Sequence, residues 1–123
     1  MYRRKPSTQF DLPLEPPVVP RDQAVTLQMV GLAGYRHHEA PDLDGMLREG
    51  ESLELIAEPD NPHDPHAVMV AWRGRKLGYL PRGANLFPSV MLGRGRSLYA
   101  RVAGLAPHAA RNERVRVEVG VWR

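Results

Sequence analysis

The chain has 123 residues, 42% hydrophobic and 25% charged, with a formal net charge of +3 at pH 7, 12 prolines and no cysteine. That length holds one domain around a single core and leaves no room for a motor ATPase beside it, and the absence of thiols excludes a disulfide framework and a thiolate metal site. No apolar run approaches the roughly 20 residues a membrane span needs, and the opening MYRRKPSTQF lacks the apolar stretch of a signal peptide, so a cytoplasmic protein is expected.

Residues 1–23 carry Pro6, Pro13, Pro16, Pro17 and Pro20 and few bulky apolar side chains, the composition of an extended or disordered arm; the domain proper is expected over 24–123. Val25 to Val30 alternates and is rich in β-formers, giving a first strand that Gly31 and Gly34 punctuate. A loop or short helical turn fits 41–50, and Ser52 to Ala57, apolar at alternate positions, is a second strand.

That strand runs into Glu58-Pro59-Asp60-Asn61-Pro62-His63-Asp64-Pro65-His66-Ala67-Val68, where prolines recur every third residue. Each fixes its own φ near −65° and pushes the preceding residue, Glu58, Asn61 or Asp64, towards extended backbone. A path near polyproline II, with about three residues per turn, places Asn61 and Asp64 on one face and Asp60, His63 and His66 on another. The loop is thus a stiff platform crowded with carboxylate, amide and imidazole groups.

Ala67 to Trp72 and Lys76 to Leu80 form the third and fourth strands, joined by a tight Arg73-Gly74-Arg75 hairpin with glycine where positive φ is cheap. Over 84–92, Leu86, Phe87, Val90 and Met91 recur at the spacing of a buried helical stripe. Pro88 is tolerated only in a first turn, so the helix is expected to begin near Phe87, and Trp72 and Phe87 are assigned to the core. Ser97 to Ala103 and Arg114 to Val121 complete the strands, the last with valines inward and charge outward. About six short strands with one or two short helices specify a mainly β fold, a small β-barrel.

Charge is unevenly distributed. Glu39 to Asp64 holds nine acids and one base, Arg48, whereas Arg73 to Asn112 holds eight bases (Arg73, Arg75, Lys76, Arg82, Arg94, Arg96, Arg101 and Arg111) and no acid. Brought to one face, the second region would present a positive surface suited to a phosphate-bearing partner.

Val30-Gly31-Leu32, the proline-spaced loop, Gly78-Tyr79-Leu80-Pro81-Arg82 and Leu98-Tyr99-Ala100-Arg101-Val102, in this order, resemble the HIRAN domain over roughly Ala24 to Arg123. The resemblance implies an OB-like or SH3-like β-barrel that captures the 3′ end of single-stranded DNA, in partnership with a helicase or SNF2-type ATPase supplied in trans. It implies that Asp64 accepts a hydrogen bond from the free 3′-hydroxyl, that Asn61 and His63 line the pocket, that Tyr35 stacks on a base, and that Arg82, with Tyr79 nearby, faces the phosphates. DNA repair or fork processing, near the nucleoid, is the corresponding role.

The family's fork-remodelling members carry a basic residue and two consecutive aromatics after Gly-Leu, whereas Ala33-Gly34-Tyr35 leaves one ring and no charge. A ring is worth about 1–3 kcal/mol per stacked base, so its loss weakens binding by about one to two orders of magnitude. His37 and His108 are the candidates to replace it.

Two other classes fit some of the same residues. His37, His38 and Glu39 with Asp60, His63, Asp64 and His66 suggest a metal-dependent hydrolase, although no HExxH is present. A barrel that docks proteins through its acidic region and proline-rich arm is the other. With no Walker lysine motif and no Gly-x-Ser-x-Gly elbow, neither catalysis nor a cofactor is expected.

Overall fold

A computed structural model describes residues 24–34, 46–106 and 114–122. The proline-rich arm, Tyr35, His37, His38, Glu39 and His108 lie outside the described residues. Six strands, β1 (Ala24–Gly31), β2 (Ser52–Ala57), β3 (Val68–Trp72), β4 (Arg75–Tyr79), β5 (Tyr99–Leu105) and β6 (Val115–Trp122), accompany a 3₁₀ turn at Arg82–Ala84 and one helix, α1 (Leu86–Gly93). The strands form one antiparallel sheet in the order β1-β6-β5-β2-β3-β4. No helix among the described residues is long and apolar enough to cross a membrane.

The mainly β expectation holds, and β2 has the expected bounds. The hairpin between β3 and β4 places both Arg73 (φ 49°) and Gly74 (φ 80°) in the left-handed region, the two-residue geometry whose twist matches that of paired strands. Sidedness comes from alternation: Val115, Val117 and Val119 of β6 point into the core with Val68 and Val70 of β3, Leu77 of β4 and Val102 of β5. Trp72 is buried as expected, its indole N–H donating to Glu51 Oε2 at 3.1 Å.

The sheet curls without closing fully. Its two edges meet through one bridge, Ala33 with Tyr79, where each backbone N–H donates to the other residue's carbonyl at 2.8 and 2.9 Å. Gly78 makes this approach possible. A Cβ there would overlap the Ala33 carbonyl oxygen and stand 3.0 Å from Cγ of Leu32, a fully buried core residue.

Two expectations need correction. The helix does begin with Pro88 in its first turn, but Pro88 is its buried residue; Leu86, Phe87 and Val90 are exposed, Phe87 by 47%. The three-to-four spacing described a stripe that faces away from the barrel, so Phe87 is not a core residue. The charges of β6 are not all solvated either. Glu118 accepts hydrogen bonds from Tyr99 Oη at 2.7 Å, Thr26 Oγ1 at 2.8 Å and, as a fork, Arg101 Nη2 at 3.0 Å and Nε at 3.2 Å. This cluster pins β1, β6 and β5 together and removes Arg101 from the supposed basic face. The Arg101 guanidinium, followed by the two hydroxyls, outweighs desolvation and holds the Glu118 carboxyl down to about 2.

Candidate functional site

The proline-spaced loop is built from two successive Asx turns rather than a regular polyproline helix. Asn61 Oδ1 accepts from the backbone N–H of His63 at 2.8 Å, and Asp64 Oδ1 accepts from that of His66 at 2.8 Å. Each turn brackets a proline, Pro62 or Pro65, so ring geometry and side-chain hydrogen bond restrain the same three residues. The loop base is closed by Glu58 N–H to the Ala67 carbonyl, 2.9 Å, directly before β3 begins.

This loop, the bridge and the segment after β4 enclose a cavity of about 380 Å³. Ala33 and Gly34 form one wall, Asn61, His63 and Asp64 the opposite one, and the buried Ala67 and Leu80 contribute apolar surface. Tyr79, Arg82 and Asn85 complete it. Five of the six residues expected from the sequence, Asn61, His63, Asp64, Tyr79 and Arg82, therefore line one cavity; the sixth, Tyr35, lies outside the described residues but follows Gly34 of its wall.

Asp64 divides its two oxygens between folding and the cavity. Oδ1 closes the Asx turn, while Oδ2 accepts from the Asn85 amide at 2.8 Å and stands 3.9 Å from Arg82 Nε. The His66 N–H first, then the Asn85 amide, with the nearby Arg82 charge adding to both, hold the carboxyl below its ordinary range. It is an ionised, acceptor-only group. Arg82 itself is held loosely: its side chain is 75% exposed and Nη2 donates to the His63 carbonyl at 3.0 Å, leaving guanidinium N–H groups directed to solvent at the rim.

Sequence reasoning missed three supports, Glu58, Lys76 and Asn85. Glu58 Oε1 accepts from both the Asn61 amide, 3.0 Å, and the Tyr79 hydroxyl, 2.8 Å, and so ties the loop to β4. Lys76 Nζ stands 4.6 Å from the centre of the Tyr79 ring, which fixes that ring from a second side. Asn85, immediately before α1, was the third; a helix-start asparagine is a local signal, but its partner lies 21 residues earlier. Of the suggested metal ligands, His37, His38 and Glu39 lie outside the described residues; among the described residues no three His, Asp or Glu side chains are grouped so as to hold a metal ion, and His63 and His66 are exposed.

The site is thus an ionised carboxylate set into a cavity beside the single-residue seam of a small antiparallel barrel, with an exposed guanidinium at its rim. The chain belongs to the HIRAN domain family, which it matches over residues 25–121. It is 40% identical over 55 residues to a Fanconi-associated nuclease 1 homolog of Oryza sativa subsp. japonica, a match covering 42% of the chain and spanning only 5% of that protein's length. A crystal structure of a protein from Lactobacillus plantarum is similar with a TM-score of 0.66 and 27% identity, covering 79% of this chain and 96% of that one. The HIRAN domain of human HLTF has the same fold, with a TM-score of 0.64 at 17% identity over 83% of this chain and 81% of that one. The expected OB-like architecture is thus present.

Proposed function

We propose that this HIRAN chain binds single-stranded DNA at a free 3′-hydroxyl end, as a recognition module without catalysis of its own, beside a partner that supplies motor or nuclease activity. The observation that carries the reading is the pairing inside one cavity of an ionised, mostly shielded carboxylate, Asp64, with an exposed guanidinium, Arg82. A sugar hydroxyl is a neutral donor that suits Asp64, while the phosphodiester one bond further along the strand suits Arg82. A terminal phosphate in place of the hydroxyl would set two anions against each other. Asn61 and His63 line the sugar and base in this reading, Tyr79 packs beside the phosphate path, and Tyr35 stacks on a base.

The rice relative supports the division of labour, since a protein named as a nuclease contains a segment of this kind as a small part of its length. A role in DNA repair or fork processing follows from the same reading. Fluorescence anisotropy with matched oligonucleotides ending in 3′-hydroxyl or 3′-phosphate tests it. Wild type should prefer the hydroxyl end, and Asp64→Asn, which keeps an acceptor for the Asx turn, should weaken hydroxyl-end binding by about 10–100-fold, the worth of a charge-assisted hydrogen bond. Affinity should fall with salt at a log–log slope near −0.7 per phosphate contacted. Equal affinity for both ends would overturn the assignment of Asp64, and salt-insensitive or absent binding to any oligonucleotide would favour a protein ligand.

A further inference from the structure

Asn85 occupies a position with an unusual division of labour. It directly precedes α1, where an asparagine side chain ordinarily caps the first turn, yet it makes no side-chain cap hydrogen bond and its backbone is helical at φ −99°, ψ −13°. Its amide instead donates to Asp64 Oδ2 at 2.8 Å, and the residue is only 4% exposed. The backbone on either side is fixed. The Ala84 carbonyl accepts from Gln28 Nε2 at 2.9 Å and the Ala84 N–H donates to the Pro81 carbonyl at 2.9 Å, while the Asn85 carbonyl receives the Ser89 N–H at 2.9 Å. A rigid support therefore aims one buried amide at one carboxylate oxygen, at the expense of the cap.

We propose that Asn85 is the positioning residue that sets the chain's preference for a hydroxyl end, by locking the Asp64 carboxylate so that its remaining lone pairs face the cavity. This rests on the function proposed above. With Oδ1 engaged by the His66 N–H and Oδ2 by Asn85, the carboxylate plane cannot rotate, and a ligand donor meets it in one orientation. Serine is too short to make the same contact, and a carboxylate would oppose it. The two N–H donors also favour the ionised form of Asp64, which accepts from a hydroxyl and repels a phosphate.

The test uses the full chain in three forms, wild type, Asn85→Ala and Asn85→Asp, with the same pair of 3′-hydroxyl and 3′-phosphate oligonucleotides from pH 5 to 8. Because a 3′-phosphate itself loses a proton near pH 6, the ratio of the two affinities is compared among the three proteins at pH 8, and the pH profile is read on hydroxyl-end affinity alone, each variant divided by wild type at the same pH. Among the described residues His63, His66, Arg82 and Tyr79, with Glu58 and Lys76 one contact further out, are the other titratable or charged groups around Asp64, and all are common to the three proteins. Asn85→Ala should lower the ratio by about tenfold while thermal unfolding still reports a folded barrel. Asn85→Asp places two carboxylates at hydrogen-bond distance, so the pair should share one proton and titrate upward as a unit. Its hydroxyl-end affinity should approach wild type near pH 5, where the shared proton restores the contact, and fall at least tenfold by pH 8.

A merely structural residue would change stability without creating that new pH step. If wild type discriminates and both variants keep its ratio at pH 8 and its hydroxyl-end pH profile, Asn85 does not position Asp64. If Asn85→Ala fails to fold, the Asn85→Asp profile decides alone. A wild type that binds both ends alike overturns the reading of the whole site, and this inference with it.

Discussion

Replacing Gly78 by alanine should open the barrel at its seam. The added Cβ would overlap the Ala33 carbonyl and crowd Leu32, and neither can yield easily, because one is backbone and the other is a fully buried side chain. Relief requires the two strands to part, which breaks both hydrogen bonds of the Ala33–Tyr79 bridge. Each is worth about 1 kcal/mol net, and the misfit against Leu32 adds about 1–3 kcal/mol. The gain from stiffening the unfolded chain offsets about 0.4–1 kcal/mol. A net loss of about 2–4 kcal/mol lowers the melting temperature of a domain this size by about 10–25 °C.

Urea unfolding followed by tryptophan fluorescence should show a lower midpoint at unchanged slope, since the denatured surface is the same. Gly83→Ala is the matched control: nothing lies within 4 Å of a Cβ at that position, so its stability should stay within about 0.5 kcal/mol of wild type. Because Ala33 and Tyr79 also line the cavity, Gly78→Ala should weaken oligonucleotide binding even at temperatures where it is folded. Wild-type stability for Gly78→Ala would refute the claim that the close approach at this glycine shapes the barrel.

Two further predictions concern positions whose environment the sequence misjudged. Glu118 titrates near 4.5 when unfolded and at about 2 when folded, so its contribution is fully present above about pH 5 and is lost as pH falls towards 2. The shift corresponds to about 3 kcal/mol; Glu118→Gln should therefore destabilise at pH 7 and cost far less at pH 3, as measured by urea midpoints, and an equal loss at both would show that the charge is not what matters. Phe87→Ser should cost no more than about 1 kcal/mol, because the ring is already half in water. A loss of several kcal/mol by thermal unfolding would return Phe87 to the core.

The strands were legible because their signal is local: alternation in β2 and β6, and a glycine at the β3–β4 turn, report on neighbours in sequence. The proline-spaced loop was legible as a rigid platform, and Asn61 and Asp64 do line one cavity, but His63, which a three-fold path puts on another face, lines it too, because two Asx turns replace the regular helix. Helical spacing over 86–91 was also real, yet it could not say which way the stripe faces, since the barrel needed only Pro88 and the later leucine, Leu92, from that helix. Likewise, Arg101 counted as one more surface cation until Glu118, 17 residues on, claimed it. Glu58 and Asn85 were hidden for the same reason. Each acts through a partner 21 residues away, and no local pattern encodes such a pairing.

The seam has a consequence for how occupancy can be read. Its two closing hydrogen bonds belong to residues that also wall the cavity, so a molecule seated there braces the backbone bridge that joins the two edges of the sheet. Exchange of the Ala33 and Tyr79 amide protons with solvent should then slow by the factor 1 + [L]/Kd, the inverse of the unoccupied fraction, if opening of the seam expels the ligand. Two backbone protons would serve as a built-in gauge of binding, requiring neither a label on the nucleic acid nor any change to the chain.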